Sequence, residues 1–164
     1  MSRKMSRMSR ITAQMSRIMA RDAAFKALFQ LDFNFAAEGE DSSAYEDLAI
    51  ETMVADADFL TKGDDPRKLT QEDLVYLDAV VKTTRAHLDE IDAIISERLK
   101  PGWQLSRLMA ADRNILRLAV CEMRFVEPPL DKKIAINEAV ELAKKYGTDD
   151  SSRFVNGILE AISK

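Results

Sequence analysis

The sequence predicts an all-α protein built as two small helical bundles packed together, with six to seven helices. Three observations carry that expectation. Apolar residues recur at helical spacing in one segment after another. No segment sustains the apolar–polar alternation with β-branched enrichment that a strand needs. The 164 residues hold only five Gly and four Pro, with 46% hydrophobic and 32% charged side chains, which suits a folded, helix-rich chain rather than a disordered one. The length allows one domain with a real core, or two small bundles that share an interface.

Taken in order, the opening MSRKMSRMSRITAQMSRIMARD holds four copies of Met-Ser-Arg. Met1, Met5, Met8, Met15 and Met19 follow a 4-3-4-3 pattern if Thr12 fills the gap, with the arginines offset by two residues. Serine is a mediocre helix former and no acidic cap precedes the run, so residues 1–14 are expected to be a basic arm without fixed structure. From Ile18 the pattern firms. Ala24, Leu28, Leu31 and Phe35, with Phe25 and Phe29 widening the stripe, predict an amphipathic helix that ends before AEGEDSS. A second helix is expected over 43–60, ahead of the breaker KGDDPRK. Thr70 followed by Gln71, Glu72 and Asp73 reads as an N-cap with an acidic first turn. It opens one long helix through Leu74, Leu77, Val81, Leu88, Ile91 and Ile95, stopped by KPGWQ.

Ser106 is expected to begin a helix through Leu108, Ile115, Leu118 and Ala119 that ends at EPP. Another covers 133–146, with Gly147 in the C′ position and Asp149 or Asp150 capping the next helix. The last helix packs Phe154, Val155, Ile158, Leu159 and Ile162. The segment ERLKPGWQLSR separates a bundle over 15–100 from one over 101–164.

Charge is distributed unevenly along this pattern. Residues 1–21 carry Arg3, Lys4, Arg7, Arg10, Arg17 and Arg21 and no acid, so the segment is +6 within a chain of net charge −4. The remainder is therefore −10. A basic arm on an acidic body points to a polyanion for the arm and a basic partner for the body. No stretch approaches the roughly 20 apolar residues of a membrane span, and no apolar core of a signal peptide follows the basic start, so a cytoplasmic protein is expected. Cys121 lies in the apolar run LRLAVCEMRF and reads as a buried, inert thiol. His87 has no Glu three residues before it, which removes the ligand pairs of di-iron bundles, and no metal site is expected. Gly-rich phosphate loops, Gly-x-Ser-x-Gly elbows and Cys-x-x-Cys pairs are all missing from the sequence, so the expectation is binding rather than catalysis, with no cofactor. Glu138 and Glu141 read as a solvated helix face pairing with Lys144 and Lys145.

Arg17, Arg21, Phe25 and Phe29 step by four along one helix. Guanidinium forks grip phosphate and aromatic faces stack on unpaired bases, which is the combination that single-stranded RNA recognition requires. Phe25 is expected in the core, while Phe29, which can sit at the edge of the apolar face, reads equally as a core residue and as an RNA contact.

The run KKIAINEAVELAKKYGTDDSSRFVNGILEAI, together with DRNILRLAVCEM and ARDAAFKALFQLDF, resembles the NusB family of bacterial transcription antitermination factors. The resemblance covers about residues 17–162. It implies two helical bundles that bind boxA RNA jointly with NusE, a protein of the small ribosomal subunit, in a complex that joins RNA polymerase to suppress termination in ribosomal RNA operons. By the same resemblance Arg17, Arg21 and Phe29 contact RNA. Ile18, Met19 and Ala20 stand where the family commonly has arginine, which shifts RNA contact towards Arg10 and the arm. The Asp-Ser-x-x-Phe corner adds Phe154 as an RNA residue and Asp150 as a partner residue. Asp112 and Arg117 match a charged pair of partner-binding positions, although Arg117 reads equally as a bundle-edge ion pair. Two rival roles stay open at this level: an RNA-binding domain working with an RNA cytosine methyltransferase, which the chain's end at Lys164 disfavours if it is complete, and a protein-only adaptor. A homodimer stays open as well.

Overall fold

The computed structural model describes residues 6–33 and 41–164. Among these residues there are seven α-helices and one 3-10 turn, with no strand. The expected all-α class is what the chain adopts. Met1, Arg3, Lys4, Met5 and Phe35 lie outside the described residues.

Helix α1 (Arg7–Asp32) is capped by Ser6, whose hydroxyl accepts the Ser9 N–H at 3.1 Å. The helix thus begins within the stretch expected to lack fixed structure, because that cap satisfies one of the amides a helix start leaves unpaired. Only the later part of α1 is buried. Ala20, Ala23, Ala24 and Ala27 let neighbouring helices approach closely, while Phe25, Leu28 and Leu31 fill the space between them. Helix α2 (Ser43–Leu60) has the predicted bounds and lies against α1.

The long third helix of the sequence reading is two helices, α3 (Gln71–Ala86) and α4 (Leu88–Ser96). Thr70 and Asp73 form a reciprocal capping box at the start of α3, as the sequence indicates. The break falls at His87, whose backbone (φ −110°, ψ 23°) leaves the helical region. Its imidazole packs 4.9 Å from the Phe125 ring, and its Nδ1 lies 3.1 Å from a Glu90 carboxylate oxygen. The apolar stripe continues across the break, which is why the periodicity did not reveal it.

Helix α5 (Ala110–Arg124) starts four residues later than expected, because Leu105–Arg107 form a 3-10 turn and Leu108 and Met109 are extended. It is the central helix and touches α1, α3, α4, α6 and α7. Its sequence is accordingly apolar on most sides, as a helix surrounded by others must be. Cys121 is fully buried there, and burial pushes its thiol up to about 11.

Helix α6 (Lys132–Tyr146) is capped by Asp131, which accepts the Lys133 and Ile134 N–H groups. Gly147 follows, but with φ −95° it is extended and not the left-handed C′ residue the sequence suggested. Its lack of a side chain serves space: a Cβ there would run into the Ser151 hydroxyl and the Ala143 carbonyl. Helix α7 (Ser151–Ser163) likewise departs from expectation at its start. Asp150 occupies the N-cap position without a side-chain bond, and the polar closure is made by the Ser151 hydroxyl, which accepts the Thr148 N–H at 2.9 Å. One continuous core joins all seven helices, since α1 and α5 lie side by side between the early and late groups.

Candidate nucleic-acid interface

The basic half of α1 divides into free and committed arginines. Arg7 and Arg10 are exposed, and their side chains make no bond among the described residues. Arg17 is 37% exposed; its Nε donates to Asp73 at 2.9 Å while the guanidinium lies 4.3 Å above the Tyr76 ring. The α3 capping box therefore also steers Arg17, because Asp73 serves both. Over a third of that side chain still faces solvent.

Arg21 does not. It is 6% exposed and forks onto Glu122 of α5, with Nε at 3.1 Å and a terminal nitrogen at 2.9 Å, and Glu138 of α6 stands 3.8 Å away. This ion pairing counts against the expectation that Arg21 contacts RNA. A phosphate would have to displace a buried carboxylate left with no other cation, which costs several kcal/mol. Tyr76 closes this cluster. Burial first, and the Glu122 charge next, hold its hydroxyl well above the usual phenol range.

The exposed half of α1 runs beside α6 and leaves an open groove of about 720 Å³, with Gln14, Arg17 and Ile18 on one wall and Lys133, Ile134 and Asn137 on the other. A second groove of about 530 Å³ separates the same helix from the start of α3. Cations thus stand on both walls of the first groove, supplied by Arg17 and Lys133.

The aromatic candidates lie elsewhere. Phe25 is core, as expected, and Phe29 is 37% exposed at the edge of the apolar face. Phe29 sits 6.0 Å from the Phe25 ring and 5.2 Å from the Phe33 ring, beside an apolar hollow of about 310 Å³ that Met53 and Tyr146 also line. Nineteen residues of helix separate Phe29 from Arg10, about 28 Å at 1.5 Å per residue, so the fold does not bring them together. Phe154 is half-buried and stacks on Trp103 at 6.0 Å, and Asp150, one turn earlier, is exposed.

Arg117 is an internal ion-pair residue, the second of its two readings. It donates to Asp92 at 2.8 Å and to Asp32 at 3.0 Å, with its side chain 9% exposed. Asp32 also accepts from Arg113 at 2.6 Å and Asn114 at 3.0 Å. Burial raises the Asp32 carboxyl, but these donors outweigh it and hold it below the usual range. Asp112 is buried, and one of its oxygens has no hydrogen-bond partner. Among the described residues no group of three or more His, Cys, Asp and Glu could hold a metal ion, and no helix is long and apolar enough to cross a membrane.

Sequence reasoning missed Tyr76, Lys133 and Trp103. Trp103 sits in KPGWQ, which reads only as a helix stop. The groove that Lys133 lines exists only once α6 lies beside α1.

Known proteins match this architecture along most of its length. The NusB family model matches residues 19–164. A transcription antitermination protein NusB from Natranaerobius thermophilus is 35% identical over 149 residues, 91% of this chain and 95% of that protein. The protein of the same name from Myxococcus xanthus is 36% identical over 149 residues, 90% of this chain and 94% of its own. Among solved structures, T. maritima NusB aligns with a TM-score of 0.70 at 35% identity, covering 90% of this chain and 89% of that one. A crystal structure of the antitermination factors NusB and NusE in complex with dsRNA aligns with a TM-score of 0.66 at 30% identity, covering 90% and 95%. With a family match from α1 to the last residue and relatives alike over nine-tenths of both chains, the chain belongs to the NusB family.

Proposed function

We propose that this chain is a transcription antitermination factor that binds single-stranded boxA RNA together with NusE, acting in the cytoplasm within an RNA polymerase complex to promote ribosomal RNA transcription. The observation that carries the reading is the exposed half of α1 in a NusB fold, where Arg7 and Arg10 face solvent and Arg17 lines two grooves. The likeness to a NusB chain crystallised with NusE and dsRNA supports it. The role is binding, not catalysis. Phosphates would meet the α1 cations first, and the exposed ring of Phe29 and the half-buried ring of Phe154 would take bases. The acidic body suits a basic ribosomal protein, with exposed Asp150 as a charged contact.

The test is a titration of boxA RNA with and without NusE across 50 to 200 mM salt. Three phosphate contacts on a single strand should give a log–log slope of about −2, at about −0.7 per contact. NusE should raise the affinity. Absence of RNA binding under both conditions, with NusE still bound, would leave the protein-only adaptor.

A further inference from the structure

Exposed aromatic rings on this molecule differ in the charge around them. Phe59 is 67% exposed, but it lies on α2, whose eighteen residues carry five acids and no base, and the one cation beside it, Lys62, already covers its ring at 4.6 Å. RNA would be repelled there. Trp103 is 53% exposed in the opposite setting. Residues 98–107 hold Arg98, Lys100 and Arg107 and no acid. None of these three side chains, nor that of exposed Arg153 beside Phe154, is committed to a hydrogen bond or ion pair among the described residues. Against these four cations stand three nearby carboxylates in sequence, Glu97, Asp149 and Asp150, which leaves the patch at +1. Elsewhere on the body Arg21, Arg113, Arg117 and Lys145 are all committed to carboxylates.

The ring is also held in place. Lys100, Pro101, Gly102 and Trp103 form a tight turn closed by the Trp103 N–H donating to the Lys100 carbonyl at 3.0 Å. Pro presets the second position of such a turn, and Gly102, at φ +86°, takes the left-handed third position that favours glycine. One face of the indole stacks on Phe154, with ring planes 30° apart. A shallow groove beside the ring, about 240 Å³, is bordered by Gln104 and Arg107.

We propose that Trp103, backed by Phe154, is a stacking platform for one unpaired RNA base, with Arg107 and Arg153 holding the adjoining phosphates. This rests on the RNA-binding reading above and adds a contact that reading does not contain. A rigid exposed ring is sequence-tolerant, because every base offers it a π-face, and the flanking cations supply the backbone attraction. A basic protein would meet net positive charge at this patch, so the occupant is RNA.

Trp103 is the only tryptophan of the chain, so its emission reports on the platform directly. The experiment titrates the full chain with boxA-containing single-stranded RNA while recording tryptophan emission, and measures binding independently by anisotropy of labelled RNA. Emission should be quenched along the same isotherm, and an abasic strand of equal length should bind without quenching. Trp103→Ala should weaken binding about 5- to 150-fold, and Trp103→Phe should retain most of the affinity. RNA that binds with emission unchanged and with Trp103→Ala at full affinity would overturn the platform and leave the RNA-binding reading standing. Emission that responds to NusE alone and not to RNA would overturn it in favour of a protein contact. Failure of RNA to bind by anisotropy, with or without NusE, would remove the underlying reading and the platform with it.

Discussion

Arg21 and Arg10 stand eleven positions apart on one helix and have different tasks. Arg21→Ala should lower stability by about 3–5 kcal/mol, since Glu122 would stay buried without its cation. Thermal or urea unfolding checks this. Arg10→Ala should leave unfolding unchanged and flatten the salt dependence of RNA binding by about 0.7. A stable Arg21→Ala protein, or an Arg10→Ala protein that melts early, would reverse the two assignments. The sequence shows both as arginines on a basic helix and cannot separate them. Glu122, the group that commits Arg21, lies 101 residues further along the chain. Arg117 teaches the same lesson through Asp32 and Asp92. By contrast, the burial of Phe25 was legible, because it depends only on the angular position of the ring on its own helix.

Elements whose limits are set by local chemistry were read correctly from the sequence. Helix α2 ends before its Gly-Asp-Asp-Pro breaker, and α3 starts at a capping box that four consecutive residues spell out. Elements bounded by packing were not. The His87 break follows no breaker residue, and the imidazole there rests on Phe125, which only the fold places nearby. Gly147 was located correctly for the wrong reason. The structure makes it a matter of clearance between α6 and α7, and a substitution tests this: Gly147→Ala should cost about 1–3 kcal/mol through overpacking against Ser151 and the Ala143 carbonyl. A left-handed role would predict a similar loss, but one relieved by Asn. Since clearance is the cause, Gly147→Asn should be at least as harmful as Gly147→Ala in the same unfolding measurement.

At the scale of the molecule, carboxylates join helices that are distant in sequence, and the pH dependence follows from them. Asp22 accepts from Lys145 and Tyr146 of α6, Asp32 ties α1 to α5, and Asp73 ties α3 to α1. Burial opposes ionisation at each, but the donors win, so all three titrate below the ordinary 3.8 in the folded protein. The unfolded chain therefore takes up protons first as pH falls. The stabilisation is fully present above about pH 4 to 5 and is lost as pH drops through the folded values. Buried Glu46, shifted upward, works in the opposite sense and softens the change. Urea midpoints measured from pH 7 to pH 3 should hold steady and then fall, with the slope m unchanged. A midpoint that rises on acidification would refute this account. The central position of α5 also governs the redox behaviour of the chain. Cys121, its sole sulfur able to form a disulfide, is enclosed between α5 and α3, where it lies 3.8 Å from the Val80 carbonyl. Any disulfide must join two molecules, and neither thiol can reach the other until both chains have opened their cores. Oxidative crosslinking of this protein is therefore second order in a rare opened state, and it falls off steeply wherever the fold is stable.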